Sequence, residues 1–238
     1  MAQVINTNLG ALFAGSALNK SAIGLQTAQE RLSSGLRINS SKDDATGLAI
    51  ATGIDSKIRG ANMNIRNAND GISAAQINDG YLAQIAENTQ RLREIYVQTG
   101  AVSNTEATEL IAENTRISGL VTASTAVVVD AAGGTAGGTG TTFTSALAYA
   151  NLAAFDTELA AITANRAEFG ADMITLGSAV ASLQTASVNL SASYSRIMDT
   201  DYATETAAQA RNNILQQAGT AVLAQANQTP QTVLTLLR

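Results

Sequence analysis

Few side chains in this 238-residue sequence could carry out chemistry on a substrate. The chain contains no histidine and no cysteine, so it has no imidazole base, no thiolate nucleophile and no zinc ligand of either type. Carboxylate-only chemistry would need paired acids in a pocket, whereas the 19 acidic residues are scattered along the chain. The sequence therefore predicts a protein that is not an enzyme, with no catalytic residue, no cofactor and no metal site.

Two acidic groups come closest to a cation site. One comprises Asp199, Asp201 and Glu205, and the other comprises Asp43 and Asp44. Neither is accompanied by the glycine turn and the dense set of oxygen ligands that calcium sites require. Aspartate is also a preferred residue at the start of a helix, where its carboxylate accepts backbone N–H bonds. Helix capping, or hydration of a domain junction, is therefore the favoured interpretation of both groups.

Long helices are the elements that would position these residues. The chain has one proline, Pro230, and only 4% aromatic residues, so little in it interrupts a helix. Residues 43–98 carry apolar side chains at alternating spacings of four and three, broken by Asp79, and Gly100 follows as a stop. This first apolar seam predicts a helix of about six heptads. Its members include Ile54, Ile58, Ala61, Ile65, Ala68, Ile72, Ala75 and Leu82.

A second, shorter helix is predicted from about residue 105 to residue 126. Ser103 and Glu106 have the spacing of a capping box, in which each side chain bonds the backbone N–H of the other. Leu110 and Val121 belong to a partial apolar face on the same segment.

Residues 131–142 have a different composition, with five glycines among alanines and threonines. They are flanked by β-branched and apolar residues at 127–129 and 141–144. The pattern predicts a Gly/Thr-rich loop or the tip of a short β-hairpin. Glycines in such a loop suit an exposed reversal better than a packed contact.

The third helix carries a second apolar seam, broken by Arg166 and Ser187. We expect Arg166 to extend its charged end into solvent or to pair with a carboxylate of the same domain, with an interprotomer contact as the alternative. Two long seams joined by reversals predict an all-α fold. Its form is a long antiparallel coiled-coil or helical-bundle rod from the N- and C-terminal halves, with a small loop or β-hairpin at the distal end. The seam comprises Phe155, Leu159, Ile162, Phe169, Met173, Leu176, Val180, Leu183, Leu190, Tyr194 and Ile197.

The two ends of the chain are almost free of charge. Residues 1–29 contain one charged side chain, Lys20, and residues 206–237 contain one, Arg211. Both stretches can form helices, but their outer surfaces would be too neutral for ordinary solvated helices and too polar for lipid. Burial against neighbouring copies explains this composition, and frayed low-complexity termini are the alternative. The apolar residues concerned include Leu9, Leu12, Phe13, Val222 and Leu223.

Charge and hydropathy exclude two classes of partner. The net charge is −5 and the basic residues stand singly, whereas nucleic-acid binding needs clustered lysine and arginine. No apolar run approaches the roughly 18–20 residues that span a bilayer. The first basic residue is Lys20, so no secretory signal peptide is predicted. Composition alone would place the protein in the cytoplasm.

Several sequence blocks resemble bacterial flagellins. They include ERLSSGLRINS at 30–40 and ILQQAGT at 214–220. The resemblance extends over the whole chain except about residues 127–150, where many flagellins insert outer domains. The sequence thus resembles a short flagellin that lacks the outer variable domains. The remaining blocks lie at 1–8, 42–45, 66–73, 195–197, 201–205, 222–228 and 236–238.

The resemblance implies a structural subunit that self-assembles into the flagellar filament for swimming motility. Residues 1–42 and 199–238 would pair as an inner domain lining a channel, and residues 43–198 would form a rod domain containing the loop at 131–142. Leu234, Leu236 and Leu237 would pack with the other terminal apolar residues in the filament core. The protein would be extracellular, exported by the flagellar type III apparatus without a cleaved signal peptide. Its partners would be its own copies, an export chaperone, the filament cap and the hook–filament junction proteins.

Residues 90–95 resemble the patch of flagellins that the innate immune receptor Toll-like receptor 5 recognises. By this resemblance Arg91 would be the charged anchor, Ile95 an apolar contact and Gln90 a flanking hydrogen-bonding residue. Glu113 would be a fourth contact on the neighbouring helix. The alternative is a helix face buried between protomers. The chain would then be, secondarily, a receptor ligand.

Two other functions within reach of this fold are a hook–filament junction protein and a surface protein that binds polysaccharide or a host receptor. The blocks at 1–8 and 214–228 favour a filament subunit over the first. The absence of an outer domain weakens the second. Proteolytic flagellins carry a histidine-containing zinc motif in an outer insert, and this chain has neither the histidine nor the insert.

Overall fold

The computed structural model describes residues 7–129, 134–145 and 151–236, and the side chains within these ranges up to residue 228. It confirms the all-α prediction, with one small antiparallel sheet. The chain divides into two compact units, which we call the terminal unit (Met1–Ile54 with Ala192–Arg238) and the central unit (Asp55–Ser191). The predicted domain boundaries after residues 42 and 198 remain a prediction. The elements are α1 (Leu9–Ser34), α2 (Ala45–Thr99), α3 (Thr105–Ser118), β1 (Val127–Val128), β2 (Thr135–Ala136), α4 (Leu152–Met198) and α5 (Tyr202–Leu236).

Both predicted ends of α2 are confirmed. The Asp44 carboxylate accepts a hydrogen bond from the Gly47 backbone N–H at 2.8 Å, which satisfies one of the free donors of the first turn. At the other end Gly100 has a φ of 74° and donates its N–H to the Tyr96 carbonyl at 2.8 Å. A glycine adopts this left-handed conformation without the penalty that a Cβ imposes.

The apolar seams of α2 and α4 pack against each other in the central unit. Their antiparallel direction follows from two ion pairs, Asp79 with Arg166 and Arg93 with Asp156. Burying a large apolar side chain contributes about 1.5–3 kcal/mol, so the seam stabilises this unit without help from another chain. The buried residues form two clusters: Ala75, Leu82, Ile85, Ile117, Val121, Phe143, Ile162 and Phe169; and Leu92, Ile95, Ala107 and Phe155.

The break in the first seam is one residue away from its predicted place. Asn78, and not Asp79, occupies the core-facing position and is 3% exposed. Its side chain is satisfied by the backbone of Thr122, donating to the carbonyl at 2.8 Å and accepting from the N–H at 3.3 Å. A buried amide is tolerated where its donors and acceptors find partners, so the seam continues through a polar residue.

The short helix α3 differs from its prediction at both ends. Its N-cap is Asn104, whose side chain accepts the Ala107 N–H at 2.7 Å, so the predicted Ser103–Glu106 capping box is wrong. Asparagine and serine are equally good caps, and composition alone does not choose between adjacent positions. The helix ends at Ser118 and not near residue 126, because extended chain follows Gly119 and Leu120.

A two-stranded hairpin is present, but it involves different residues from those predicted. Val127 pairs with Ala136 and Val128 pairs with Thr135, so the second strand lies within the Gly/Thr-rich loop and not at 141–144. The hairpin packs along α2, where a Cβ added at Gly71 would lie 3.2 Å from a Val127 methyl.

The expectation that the loop glycines form an exposed reversal is wrong for the described residues 134–142. A Cβ added at Gly140 would lie 2.4 Å from the Phe169 ring, and one at Gly138 would lie 2.6 Å from the Ala126 nitrogen. These two glycines are therefore required for close packing against α4 and the preceding chain. Residues 131–133 lie outside the described part of the chain.

In the terminal unit, the links between helices are tied together by backbone pairing. Leu36 and Asp199 form an isolated antiparallel bridge, and the Arg37 N–H donates to the Met198 carbonyl at 2.6 Å. The Arg37 guanidinium also donates to the Ile197 carbonyl at the end of α4, at 2.8 Å from Nη2. A cation at a helix C-terminus is favourable. A small apolar cluster centred on Ile38, Ala51 and Met198 lies beneath these links.

Candidate assembly surfaces

Helices α1 and α5 pack antiparallel through a contact face of mostly small and polar side chains, together with Leu18 and Leu223. Asn8 donates its amide to the Ala226 carbonyl at 2.8 Å, and a Cβ added at Gly219 would lie 3.2 Å from a Leu18 methyl. The partly buried positions of α5 recur every three or four residues, which is the period of one helix face. Its contact face is therefore narrow and nearly flat. It comprises Ala208, Asn212, Gln216, Gly219, Leu223 and Ala226.

Several large apolar side chains of the same two helices lie outside that contact. Leu9 is 70% exposed, Phe13 79%, Ile214 66% and Val222 57%. An exposed apolar surface of this kind on a soluble protein indicates an interaction site. Leu12, Ile23, Leu215 and Tyr202 are exposed in the same way.

Of the residues predicted to pack in the filament core, four are exposed to solvent in the single chain: Leu9, Leu12, Phe13 and Val222. Leu223 is half-buried on the α5 contact face. The side chains of Leu234 and Leu236, and the whole of Leu237, lie outside the described part of the chain. Core packing of all eight stays a prediction.

Charge is concentrated at one end of this helix pair. Arg31 of α1 lies 3.7 Å from Glu205 of α5, whereas the rest of the two helices carries only Lys20, Glu30 and Arg211 as charged residues. Within the described residues, none of the helices is both long enough and apolar enough to cross a membrane. A neutral polar surface with large apolar side chains is suited to burial against protein.

The predicted charged anchor Arg91 forms bonds within the chain. Its Nε donates to Glu106 at 2.7 Å and its Nη1 to Glu94 at 3.0 Å. The bond to Glu106, followed by that to Glu94, raises the pKa of Arg91 above its ordinary value. Arg91 thereby connects α2 to α3 while about half of its side chain stays exposed.

The structure separates the other three residues of the predicted receptor patch. Gln90 is exposed, but Ile95 is only 2% exposed and packs in a cluster with Leu92 and Phe155. The assignment of Ile95 as a surface contact is therefore corrected, because its side chain is a core residue. Glu113 is partly exposed and accepts two hydrogen bonds from Arg116, which lowers the pKa of its carboxyl.

Two other charged groups have the roles that the sequence favoured. Arg166 pairs with Asp79 at 2.7 Å, a carboxylate of the same unit, as the first of its two interpretations predicts. Asp201 accepts the Ala203 N–H at 2.9 Å and caps α5. Hydrogen bonds from Thr204 and from Ala203 lower its pKa. Among the described residues, no group of three or more acidic side chains is placed to hold a metal ion.

Sequence reasoning missed Asp172, a buried carboxylate in the interior of α4. It is 1% exposed and accepts bonds from the Ser124 hydroxyl and from the backbone N–H groups of Thr139 and Gly140, both at 3.0 Å. Burial raises its pKa, but these bonds outweigh burial and the pKa lies below its usual value. Asp172 fastens two loop segments to α4. The one clue in the sequence is that Asp172 stands directly before Met173, a member of the second apolar seam.

Comparison with known proteins identifies the family. Residues 5–135 match the family model of the bacterial flagellin N-terminal helical region, and residues 152–237 match that of the C-terminal helical region. Flagellin 1 of Proteus mirabilis is 33% identical over an alignment of 365 positions that covers both chains completely. The flagellar filament 33 kDa core protein of Treponema phagedenis is 34% identical, and the alignment covers 99% of this chain and all of that protein. A flagellin of Salmonella typhimurium is 54% identical over 107 residues, which are 45% of this chain and 22% of the relative.

These matches confirm the resemblance to flagellins and show where the large variable domain is absent. The two family regions follow each other in order and leave only residues 136–151 between them. The 365-position alignment is longer than this 238-residue chain, as expected of a short form without a large variable domain. The relatives are structural filament proteins and not enzymes. The chain therefore belongs to the bacterial flagellin family, as a structural component of the extracellular flagellar filament.

Proposed function

We propose that this flagellin polymerises by burying the outward apolar faces of α1 and α5 against neighbouring copies. The supporting observation is that this helix pair buries mostly small side chains at its contact and leaves several large apolar side chains exposed. Its contact face is built mostly of small and polar residues, whereas Phe13 and Val222 are exposed. Each large side chain that becomes fully buried on assembly would contribute about 1.5–3 kcal/mol.

The double variant Phe13→Ser, Val222→Ser tests this. It should raise the critical concentration for filament formation more than a hundredfold, because two large apolar contacts are lost. The helix content of the monomer should not change, because both side chains lie outside the α1–α5 contact. Lys20→Ser, an exposed substitution on the same helix, is the matched control and should polymerise like the parent chain. If the double variant forms filaments at the parent concentration, these faces do not drive assembly.

The last ten residues belong to the same proposal. Leu234, Leu236 and Leu237 extend the apolar sequence of the terminal unit, so removing residues 229–238 should block polymerisation while the central unit stays folded. Thermal unfolding followed by circular dichroism would report the folding, and electron microscopy would report the filaments. Filaments of normal diameter from the truncated chain would show that these residues are dispensable.

The wider roles implied by the family are also part of the proposal. Residues 1–42 with 199–238 act as the inner domain, and residues 43–198 act as the rod domain. The chain leaves the cell through the flagellar type III apparatus, and it meets the export chaperone, the filament cap and the hook–filament junction proteins. Family membership over both halves supports these roles. The export route is tested by expressing the chain in a flagellin-deleted strain, with and without a working export apparatus. The amount of protein in the medium and the terminal residues of that protein are then determined.

A second candidate function is recognition by Toll-like receptor 5. The supporting observation is that Gln90 and Arg91 are both exposed on α2. Glu113 lies seven residues, about 10 Å, along α3 from the Arg91 partner Glu106. Ile95 takes no part, because it is buried in the central unit. Receptor signalling by the dissociated monomer, compared with signalling by intact filaments, tests this role, and the filaments should activate less per subunit.

A further inference from the structure

An outward stripe of α2 is formed by every seventh residue from Arg59 to Glu94. Seven residues fall about 20° short of two helical turns, so these positions form a continuous stripe that winds slowly around the helix. All six are exposed in the single chain, and all belong to the central unit. We call this surface the heptad stripe, and it comprises Arg59, Arg66, Ser73, Gly80, Glu87 and Glu94.

The charges of the heptad stripe are segregated. Its first two residues are basic, its middle two are small and neutral, and its last two are acidic. Arg59 pairs with Asp55 at 2.8 Å, and Glu94 pairs with Arg91 at 3.0 Å. Within the described part of the chain, Arg66 and Glu87 form no salt bridge. One charge of each sign on this stripe therefore lacks a partner.

The surroundings of the stripe suit contact with another protein surface. A Cβ added at Gly80 would meet no atom within 4 Å, so the middle of the stripe faces open space. Met63 and Ile77, on the adjacent ridge, are 49% and 55% exposed. Small residues at the centre of a helix face allow a neighbouring surface to approach, and flanking apolar side chains supply area to bury.

We infer that a second copy of this chain docks on the heptad stripe, parallel to the first and displaced along α2. In this arrangement Arg59 and Arg66 of one copy face Glu87 and Glu94 of the next. The basic and acidic residues are 21–35 positions apart, so opposite charges meet at displacements of about 32–53 Å. The charges of the stripe are complementary to those of an identical stripe under such a displacement. A second copy of this chain therefore fits the stripe.

The parallel arrangement follows from the filament that the proposed function requires. A contact between two different patches of the same chain repeats without closing and builds a helical polymer. An antiparallel pair about the centre of the stripe would also match charges, but it would close into a dimer. Exposed ion pairs contribute little each and are screened by salt. Their main effect here is to fix the register between copies.

Charge exchange tests the inference. The acidic variant is Arg59→Glu, Arg66→Glu, and the basic variant is Glu87→Arg, Glu94→Arg. Each places like charges across the contact and should raise the critical concentration about tenfold. The variant with all four changes restores complementarity and should polymerise near the parent concentration, and an equimolar mixture of the acidic and basic variants should co-polymerise. The control Lys57→Glu, Arg116→Glu changes the net charge by as much as the acidic variant does, but at positions outside the stripe. It should behave like the parent chain.

The results that would overturn the inference are equally specific. Polymerisation of the acidic or basic variant at the parent concentration would overturn it, as would failure of the four-change variant to recover with its helix content intact. Sedimentation that shows a closed dimer held by the stripe would also contradict the parallel arrangement. If a charge reversal unfolds the chain, the milder Arg66→Gln and Glu87→Gln substitutions replace it and should each weaken assembly. Failure of the parent chain to polymerise at all would count against the proposed function instead, so the two failures are distinguishable.

Discussion

The core of the central unit and the α1–α5 pair of the terminal unit place many of their large apolar side chains in opposite positions. In the central unit Phe155, Phe169 and Leu82 are completely buried, and the charged residues that pair across helices lie at the surface. In the terminal unit the helices approach each other through residues such as Gly219, whereas Phe13 is left in solvent. In both units the buried positions recur every three or four residues along the helices.

This difference shows that the helical period alone does not decide where a helix is buried. The size of the residues at the contact positions decides it. Large residues at those positions give a unit that is stabilised by its own core. Small residues there let two helices approach closely but bury little apolar area, so their stability must come from another surface. Under the proposed function the α1–α5 pair accordingly depends on neighbouring copies, whereas the core of the central unit does not.

The largest expected effect is a difference in unfolding free energy between substitutions of two phenylalanines. Phe169→Ala should lower the free energy of unfolding by about 3–5 kcal/mol, because it removes a buried ring and leaves a cavity. Phe13→Ala should change the same quantity in the monomer by less than about 0.5 kcal/mol, because its ring is exposed. Urea unfolding of monomeric protein, followed by circular dichroism, measures both.

The same pair of substitutions should exchange rank in an assembly measurement. Phe13→Ala should raise the critical concentration more than Phe169→Ala does under conditions where both chains remain folded. Equal destabilisation of the monomer by the two substitutions would remove the distinction between the units.

An intermediate effect is expected at Asp172. Replacing it by asparagine keeps its shape but removes the charge that accepts bonds from Ser124, Thr139 and Gly140. The free energy of unfolding should fall by about 1–3 kcal/mol. Asp156→Asn, at an exposed ion pair with Arg93, is the control and should have little effect.

The contribution of Asp172 should also depend on pH. Its pKa in the folded chain lies below the usual value, which is about 3.9 in an unfolded chain. The stabilisation is therefore complete above about pH 4 and is lost as the pH falls through the folded-state pKa. The difference in unfolding free energy between the parent chain and Asp172→Asn should shrink in that acidic window. A difference that stays constant from neutral pH down through that window would contradict the account.

The smallest effect on stability is expected at Arg91, whose bonds to Glu94 and Glu106 are exposed to solvent. Arg91→Ala should leave the helix content unchanged, but it should reduce receptor signalling by monomer about tenfold or more if Arg91 is an interface anchor. It should also reduce swimming motility. Lys20→Ala, outside the patch, should retain full receptor signalling. Parent-level signalling and motility for Arg91→Ala would remove the receptor assignment without affecting the filament assignment.

Ile95 offers a sharper version of the same comparison. Because it packs with Leu92 and Phe155, Ile95→Ala should destabilise the central unit by about 2–5 kcal/mol. Any loss of receptor signalling would then accompany partial unfolding. Unchanged urea unfolding for Ile95→Ala would indicate that its side chain is not a core residue.

The helices and the unusual termini could be predicted because they depend on local pattern. The spacing of Phe155, Ile162 and Phe169 determines a helix face, and the scarcity of charge before Glu30 and after Glu205 predicts surfaces for protein contact. Ile95 shows the limit of inference from a resemblance. Its place in a patch that resembles a receptor site predicted a surface contact, whereas its side chain is buried in a cluster with Leu92 and Phe155.

The features that could not be predicted depend on contacts between distant segments. Asp172 is stabilised by Ser124 and Thr139, which lie 48 and 33 residues away, and no local pattern links them. The second strand forms at Thr135–Ala136, inside a glycine-rich segment, and the adjacent Gly137 lies against Leu176 of α4. At the start of α3, Ser103 and Asn104 are equally good caps, and only the path of the chain selects Asn104.

Amide hydrogen exchange, compared between monomer and filament, tests the central claim most directly. In the monomer, residues 82–92 of α2 should exchange at rates set by global unfolding, because they line the core of the central unit. Residues 9–30 of α1 and 210–228 of α5 should exchange orders of magnitude faster, since their contact face buries little apolar area. In the filament these two helices should gain protection that approaches that of α2. Protection of α1 and α5 in the monomer equal to that of α2 would contradict the claim that the terminal unit depends on its neighbours.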